Sequence, residues 1–153
     1  MNAIDLYSGI GGWTMGMKLS GINNVASYEW WHEANLTHNL NFKTNHEEID
    51  IRKINPKELD FGKTIDFVVG SPPCTQFSYA NKGGNGDIND GLVDIRKFLD
   101  IVEHLNPKYW AMENVPRVAG ILEKELEFGG SLVRYKKLVK TIMIVDSADY
   151  GVP

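Results

Sequence analysis

Short apolar runs recur along this chain, and most reach a glycine or a carboxylate at or just beyond their ends. Residues 3–7, 25–29, 65–69, 108–112 and 141–145 have this form, with a shorter example at 49–51. Runs of three to five residues rich in Val, Ile, Tyr and Trp read as strands; continuous rather than alternating apolar character marks strands buried on both faces. Between them lie segments with helical spacing at 13–19, 32–40 and 91–105, and further helical pattern in the 120s and 130s broken by Gly129 and Gly130. Strands alternating with helices predict an α/β fold: a doubly wound, mostly parallel sheet with helices on both faces.

Open sheets of this kind bind ligands at the carboxyl ends of their strands, so the residues there carry the functional reading. Strand 3–7 leaves through Ser8-Gly9-Ile10-Gly11-Gly12 into the first helix. Glycines there let the backbone approach a ligand at a helix N-terminus. They suit a tight turn without a ligand equally well, and both readings stay open on these residues alone. Strand 25–29 ends in Glu29, followed by Trp30 and Trp31. A carboxylate at that place accepts hydrogen bonds from ribose hydroxyls, and an adjacent aromatic ring can stack on a purine. Two adjacent tryptophans point in different directions, so at most one is expected to face a ligand while the other packs. Asp50, near the end of strand 49–51, is a candidate acceptor for an exocyclic amine.

Strand 65–69 runs into Gly70-Ser71-Pro72-Pro73-Cys74-Thr75-Gln76-Phe77-Ser78, which holds the single cysteine. Two prolines stiffen the loop that carries the thiol. A lone cysteine is commonly an inert core residue. Strand 108–112, however, delivers Glu113-Asn114 to the same sheet edge, and a thiol beside a carboxyl is a nucleophile–acid pair. A polar loop is expected from Tyr79 to Asp90. The four histidines show no metal-ligand spacing and read as surface or helix residues, so no metal is expected.

At 153 residues the chain fits one domain. A net charge of −4 argues against binding nucleic acid through bulk electrostatics alone. The basic cluster Lys124, Arg134, Lys136, Lys137 and Lys140 reads as a solvated face offset by Glu123, Glu125 and Glu127. No leader or membrane-spanning run is seen, and one cysteine allows no internal disulfide; a cytoplasmic setting is the expectation.

The order of these strand ends is distinctive. Asp5-Leu6-Tyr7-Ser8-Gly9-Ile10-Gly11-Gly12, Glu29-Trp30, Pro73-Cys74 with Phe77-Ser78, Glu113-Asn114-Val115 and Ala148-Asp149-Tyr150-Gly151-Val152-Pro153 together resemble the motif series of the cytosine-5 DNA methyltransferases. The resemblance covers nearly the whole chain. It implies a Rossmann-like methyltransferase fold, S-adenosylmethionine as cofactor, double-stranded DNA as partner, and a place in DNA methylation and restriction–modification. It assigns catalysis to Cys74, Glu113 and Asn114. To the cofactor it assigns Tyr7, Ser8, Gly9, Gly11, Gly12, Glu29, Trp30, Asp50, Ile51, Gly70 and Pro72. Cys74 would attack C6 of a flipped cytosine, Glu113 would contact N3 and the amino group, and Asn114 would hold the loop.

Departures accompany the match. Tyr7 stands where the family usually has Phe, and Thr75 follows the nucleophile where Gln is common. The family's later Gln-Arg-x-Arg segment, target-recognition region and final helix have no counterpart. Residues 1–153 are therefore expected to be the cofactor-binding and nucleophile-bearing region, C-terminally incomplete and needing either the missing C-terminal region or a partner subunit to engage DNA. The alternatives are a tRNA cytosine-5 methyltransferase or a non-catalytic cofactor-binding fragment.

Overall fold

The computed structural model describes residues 1–78 and 86–152. Strands β1 (Asn2–Leu6), β2 (Asn23–Tyr28), β3 (Phe67–Gly70) and β4 (Tyr109–Met112) form one sheet in the order β2-β1-β3-β4. All three pairings are parallel. Parallel neighbours need crossovers, and helices α1 (Gly12–Leu19), α2 (His32–Phe42) and α3 (Ile88–Leu105) supply them, with α4 (Arg117–Glu125) after β4. The chain winds from β1 to β2 in one direction, then crosses to the far side of β1 for β3 and β4. That reversal opens a crevice beyond the carboxyl ends of β1 and β3.

Alternation along β1 sends its side chains to two layers. Ala3 packs with Met17 of α1 and with Val69, against Trp13 and Ile22. On the same face Asp5 bonds to Thr14 of α1. Ile4 and Leu6 point the other way, into the larger cluster with Ile95, Phe98 and Leu99 of α3 and Val118 and Leu122 of α4. Helices therefore cover both faces, as the alternating sequence predicts.

Two predicted strands do not form. At 49–51 only an isolated bridge joins Glu29 to Glu48, after which Asp50 caps a tight turn at Ile51–Lys53 by accepting from the Arg52 N–H. A side chain that satisfies the local backbone diverts it from a ladder. Residues 141–145 carry strand-like composition but form no ladder: Thr141, Ile142 and Met143 meet β4 only across a shared cavity, and Met143, Ile144 and Val145 are exposed. The expected polar loop falls partly on 79–85, outside the described residues. From Ile88 the chain is already helical, because the Asp87 carboxylate caps α3 by accepting from the N–H groups of Asn89 and Asp90.

Candidate cofactor and nucleophile site

The turn after β1 is held in an unusual backbone path. Tyr7 (φ 56°), Gly9 (φ 53°) and Gly11 (φ 101°) all lie in the left-handed region. A bulky residue there is strained by about 1–3 kcal/mol. Three hydrogen bonds hold the turn: Ser8 N–H to the Tyr28 carbonyl at 3.0 Å, Gly11 N–H to the Ser8 carbonyl at 2.9 Å, and Gly9 N–H to Glu29 Oε2 at 2.9 Å. The glycines differ in purpose. A Cβ on Gly9 or Gly12 would meet nothing within 4 Å, so their backbone lies open. A Cβ on Gly11 would stand 2.2 Å from the Phe42 ring and 2.9 Å from that of His38. Gly11 therefore serves the packing of α1 on α2.

Glu29 is buried and organises the rim. Its Oε1 accepts from the N–H groups of Trp30 and Trp31, each at 2.8 Å, while Oε2 takes the Gly9 N–H. Two carboxylate oxygens offer about four acceptor positions, so one on Oε2 remains for a ligand hydroxyl. Trp30 and Trp31 are both exposed and both line the cleft, correcting the expectation that only one of them would. The bond from each indole's own amide to Glu29 swings the chain outward before α2 begins.

The cleft has a volume of about 690 Å³ and is lined by Tyr7, Ser8, Gly9, Gly12, Trp13, Glu29, Trp30, Trp31, Ser71, Pro73, Thr75 and Glu113, among others. A smaller cavity of about 320 Å³ adjoins it, sharing Tyr7, Trp30, Pro73 and Thr75 and adding Asp50, Ile51, Arg52 and Gln76. Cys74 is half-buried between Pro73 and Thr75. Its carbonyl accepts from the N–H groups of Phe77 and Ser78, both at 2.9 Å, which curls the loop into a turn. Asn114 Nδ2 donates to the Pro72 carbonyl at 2.9 Å, and Glu113 is set by its N–H bond to the Gly70 carbonyl at 3.0 Å. Gly70 itself faces the sheet: a Cβ there would lie 2.4 Å from the Leu6 carbonyl oxygen.

The structure thus gathers Tyr7, Ser8, Gly9, Gly12, Glu29, Trp30 and Glu113 around one cleft, with Asp50 and Ile51 on its extension; Cys74 itself is not in the lining of either cavity, to which Pro73 and Thr75 on either side of it belong. Gly11, Gly70, Pro72 and Asn114 stand behind as support. Trp13 and Ser71 were not anticipated; the indole Nε1 donates to Ser71 Oγ at 3.0 Å and ties α1 to the Cys74 loop. Nothing in the apolar spacing of α1 distinguishes Trp13 from a core residue.

Beneath the turn lies a buried polar layer. Asp5 Oδ2 accepts from the Thr14 N–H and hydroxyl at 3.1 and 2.8 Å, and the Thr14 hydroxyl also meets His38 Nε2 at 3.1 Å. Burial pushes the Asp5 carboxyl up to about 7 against the pull of the Thr14 bonds. His38 is fully buried rather than on the surface, and burial, with His46 nearby, lowers its affinity for a proton. Ser8 Oγ is buried at the cleft wall with no partner among the described residues. No group of three metal-ligating side chains occurs among the described residues, and no described helix is long and apolar enough to cross a membrane.

A matching family gives this arrangement its context. Residues 1–153 match the family model described as C-5 cytosine-specific DNA methylase. The chain belongs to that family. Among its methylase relatives, the type II methyltransferase M.HindV of Haemophilus influenzae is 32% identical over 161 residues, covering 100% of this chain and 49% of the relative. Among solved structures, one described as a DNA modification methyltransferase encoded within an E. coli prophage superposes with a TM-score of 0.67 at 28% identity, over 88% of this chain and 38% of that one. The Dnmt2 methyltransferase of S. pombe superposes with a TM-score of 0.60 at 25% identity, over 88% and 38%. The chain therefore spans about half or less of the length of these methylases.

Proposed function

We propose that this chain is the cofactor-binding and nucleophile-bearing part of a DNA (cytosine-5) methyltransferase that uses S-adenosylmethionine. The observation that carries the reading is the convergence on one cleft of the turn at Gly9 and Gly12, Glu29, Glu113, and Pro73 and Thr75, the two neighbours of Cys74. The residues suit the cofactor. Glu29 Oε2 has an acceptor position for a ribose hydroxyl, the unpartnered Ser8 Oγ and the open Gly9 and Gly12 backbone suit its amino-acid end, and the exposed Trp30 ring suits adenine. When bound, the cofactor supplies an electrophilic methyl group.

The chain's own residues prepare the base. The Cys74 thiolate adds to C6 of a cytosine turned out of the duplex, and the electron pair displaced from the ring's double bond makes C5 nucleophilic. Glu113 bonds to N3 and the exocyclic amine and stabilises the charge that develops. Asn114 keeps the loop in register through Pro72. After methylation, loss of the C5 proton re-forms the double bond and expels the thiolate. With a net charge of −4, most phosphate contacts fall to a continuing or partner polypeptide.

The test is covalent trapping on duplex DNA containing 5-fluorocytosine, with S-adenosylmethionine, using the chain alone and with the product of any adjoining reading frame. A denaturing-gel adduct that Cys74→Ser abolishes is the expected result. A folded chain that gives no adduct in either combination overturns the proposal, and an adduct on a fluorocytosine RNA alone reassigns the substrate.

A further inference from the structure

Beside the cleft stands a charged cluster that the reaction leaves unused. Arg52 reaches from its tight turn across to α3. Its Nε and Nη2 donate to the two oxygens of Asp94 at 2.9 and 2.7 Å, and its Nη1 donates to Asp90 Oδ1 at 2.9 Å. The Asp94 side chain is only 5% exposed whereas that of Arg52 is 41% exposed, so the pair is partly solvated and is held chiefly by its fork geometry. Two further residues extend it. The Tyr7 hydroxyl lies 3.2 Å from the Asp94 carbonyl and 3.3 Å from Asp94 Oδ1. Gln76 Nε2 donates to Asp90 Oδ2 at 3.3 Å, and Gln76 Oε1 accepts from the Asp87 N–H at 2.9 Å.

One guanidinium therefore connects the strained Tyr7 at the mouth of β1 with Gln76, two residues beyond the nucleophile. We propose that Arg52 is a positioning residue that couples occupancy of the cofactor cleft to the conformation of the Cys74 loop. Tyr7 lines both cavities, and Arg52, Asp90 and Asp94 line the smaller one. A ligand that presses on Tyr7 or on the Asp50–Arg52 turn acts on the same fork from which Gln76 hangs. A planar, two-pronged pair has one good arrangement, so a shift at one end is passed on rather than absorbed. By linkage, whatever cofactor does to the thiol loop, the loop's state does to cofactor affinity. The proposal rests on the cofactor reading given above.

Because Cys74 is the only cysteine, its alkylation by iodoacetamide reports the loop directly. The rate is measured on the full chain with and without saturating S-adenosylhomocysteine, whose binding is followed separately by calorimetry. In the unaltered chain the ligand is expected to change the rate at least about fivefold, the lower end of typical coupling. In Gln76→Ala, and in Arg52→Lys, which retains the charge but loses the fork, the ligand should still bind while the rate ratio falls to within about twofold of unity. Simple shielding of the thiol by ligand would persist in Gln76→Ala, and a persisting ratio overturns the coupling. So does an unaltered chain that binds without any change in rate. Absence of binding to the unaltered chain, seen by calorimetry, overturns the cofactor reading itself and this proposal with it.

Discussion

A single methyl group separates the two kinds of glycine in the first turn. Added at position 11 it collides with Phe42 and His38, and added at position 9 it meets open space. Gly11→Ala should therefore lower stability by about 1–3 kcal/mol beyond the left-handed strain that it shares with Gly9→Ala. Paired thermal melts of the two variants measure that difference. In the sequence both glycines belong to one recognisable turn. What separates them is a helix some thirty residues later, a long-range contact that local patterning does not encode. Asp5 was similarly hidden inside an apolar strand. Its folded carboxyl titrates near 7, well above the ordinary 3.8, so the folded state holds an extra proton between those values. Stability from that group is present at low pH and is lost as pH rises through about 7. The thermal midpoint of the unaltered chain, taken relative to Asp5→Asn, should therefore fall between pH 5.5 and pH 8.

At the scale of elements, strand ends were legible and strand existence was not always so. Glu29 was readable as a strand-end carboxylate, but its three backbone donors were not, because they depend on how the chain turns after β2. Glu29→Ala removes all of them at once. It should loosen both the glycine turn and the start of α2, costing roughly 1.5–3 kcal/mol for each charged hydrogen bond lost, partly offset by water. Cofactor affinity should drop at least about tenfold by calorimetry if the remaining Oε2 position holds a ribose hydroxyl. Residues 141–145 show the opposite failure. Val145, Ile144 and Ile142 satisfy every propensity for a strand, yet the segment meets β4 only across a shared cavity, and propensity alone closes no ladder. Their amides should exchange with deuterium far faster than those of Tyr109 and Glu113, which donate to the Asp66 and Gly70 carbonyls at 3.0 Å each.

At the scale of the whole molecule, alternation of strands and helices was enough to read the α/β class and the two helical layers. The order β2-β1-β3-β4 was not written in that alternation, because it records which side of β1 each crossover takes. That choice sets the ligand crevice. It also means that the cleft draws on residues as far apart as Tyr7 and Glu113, and truncating the chain before β4 should abolish cofactor binding while leaving β1 and β2 intact in sequence. The interior position of β1 has a further consequence for synthesis. On the ribosome β1 gains β2 on one edge soon after it emerges, but its other edge stays open until Phe67–Gly70 have followed. Through that interval the nascent chain carries an unpaired, apolar edge, so the pace of translation between residues 28 and 70 bears on its yield as much as the stability of the finished sheet.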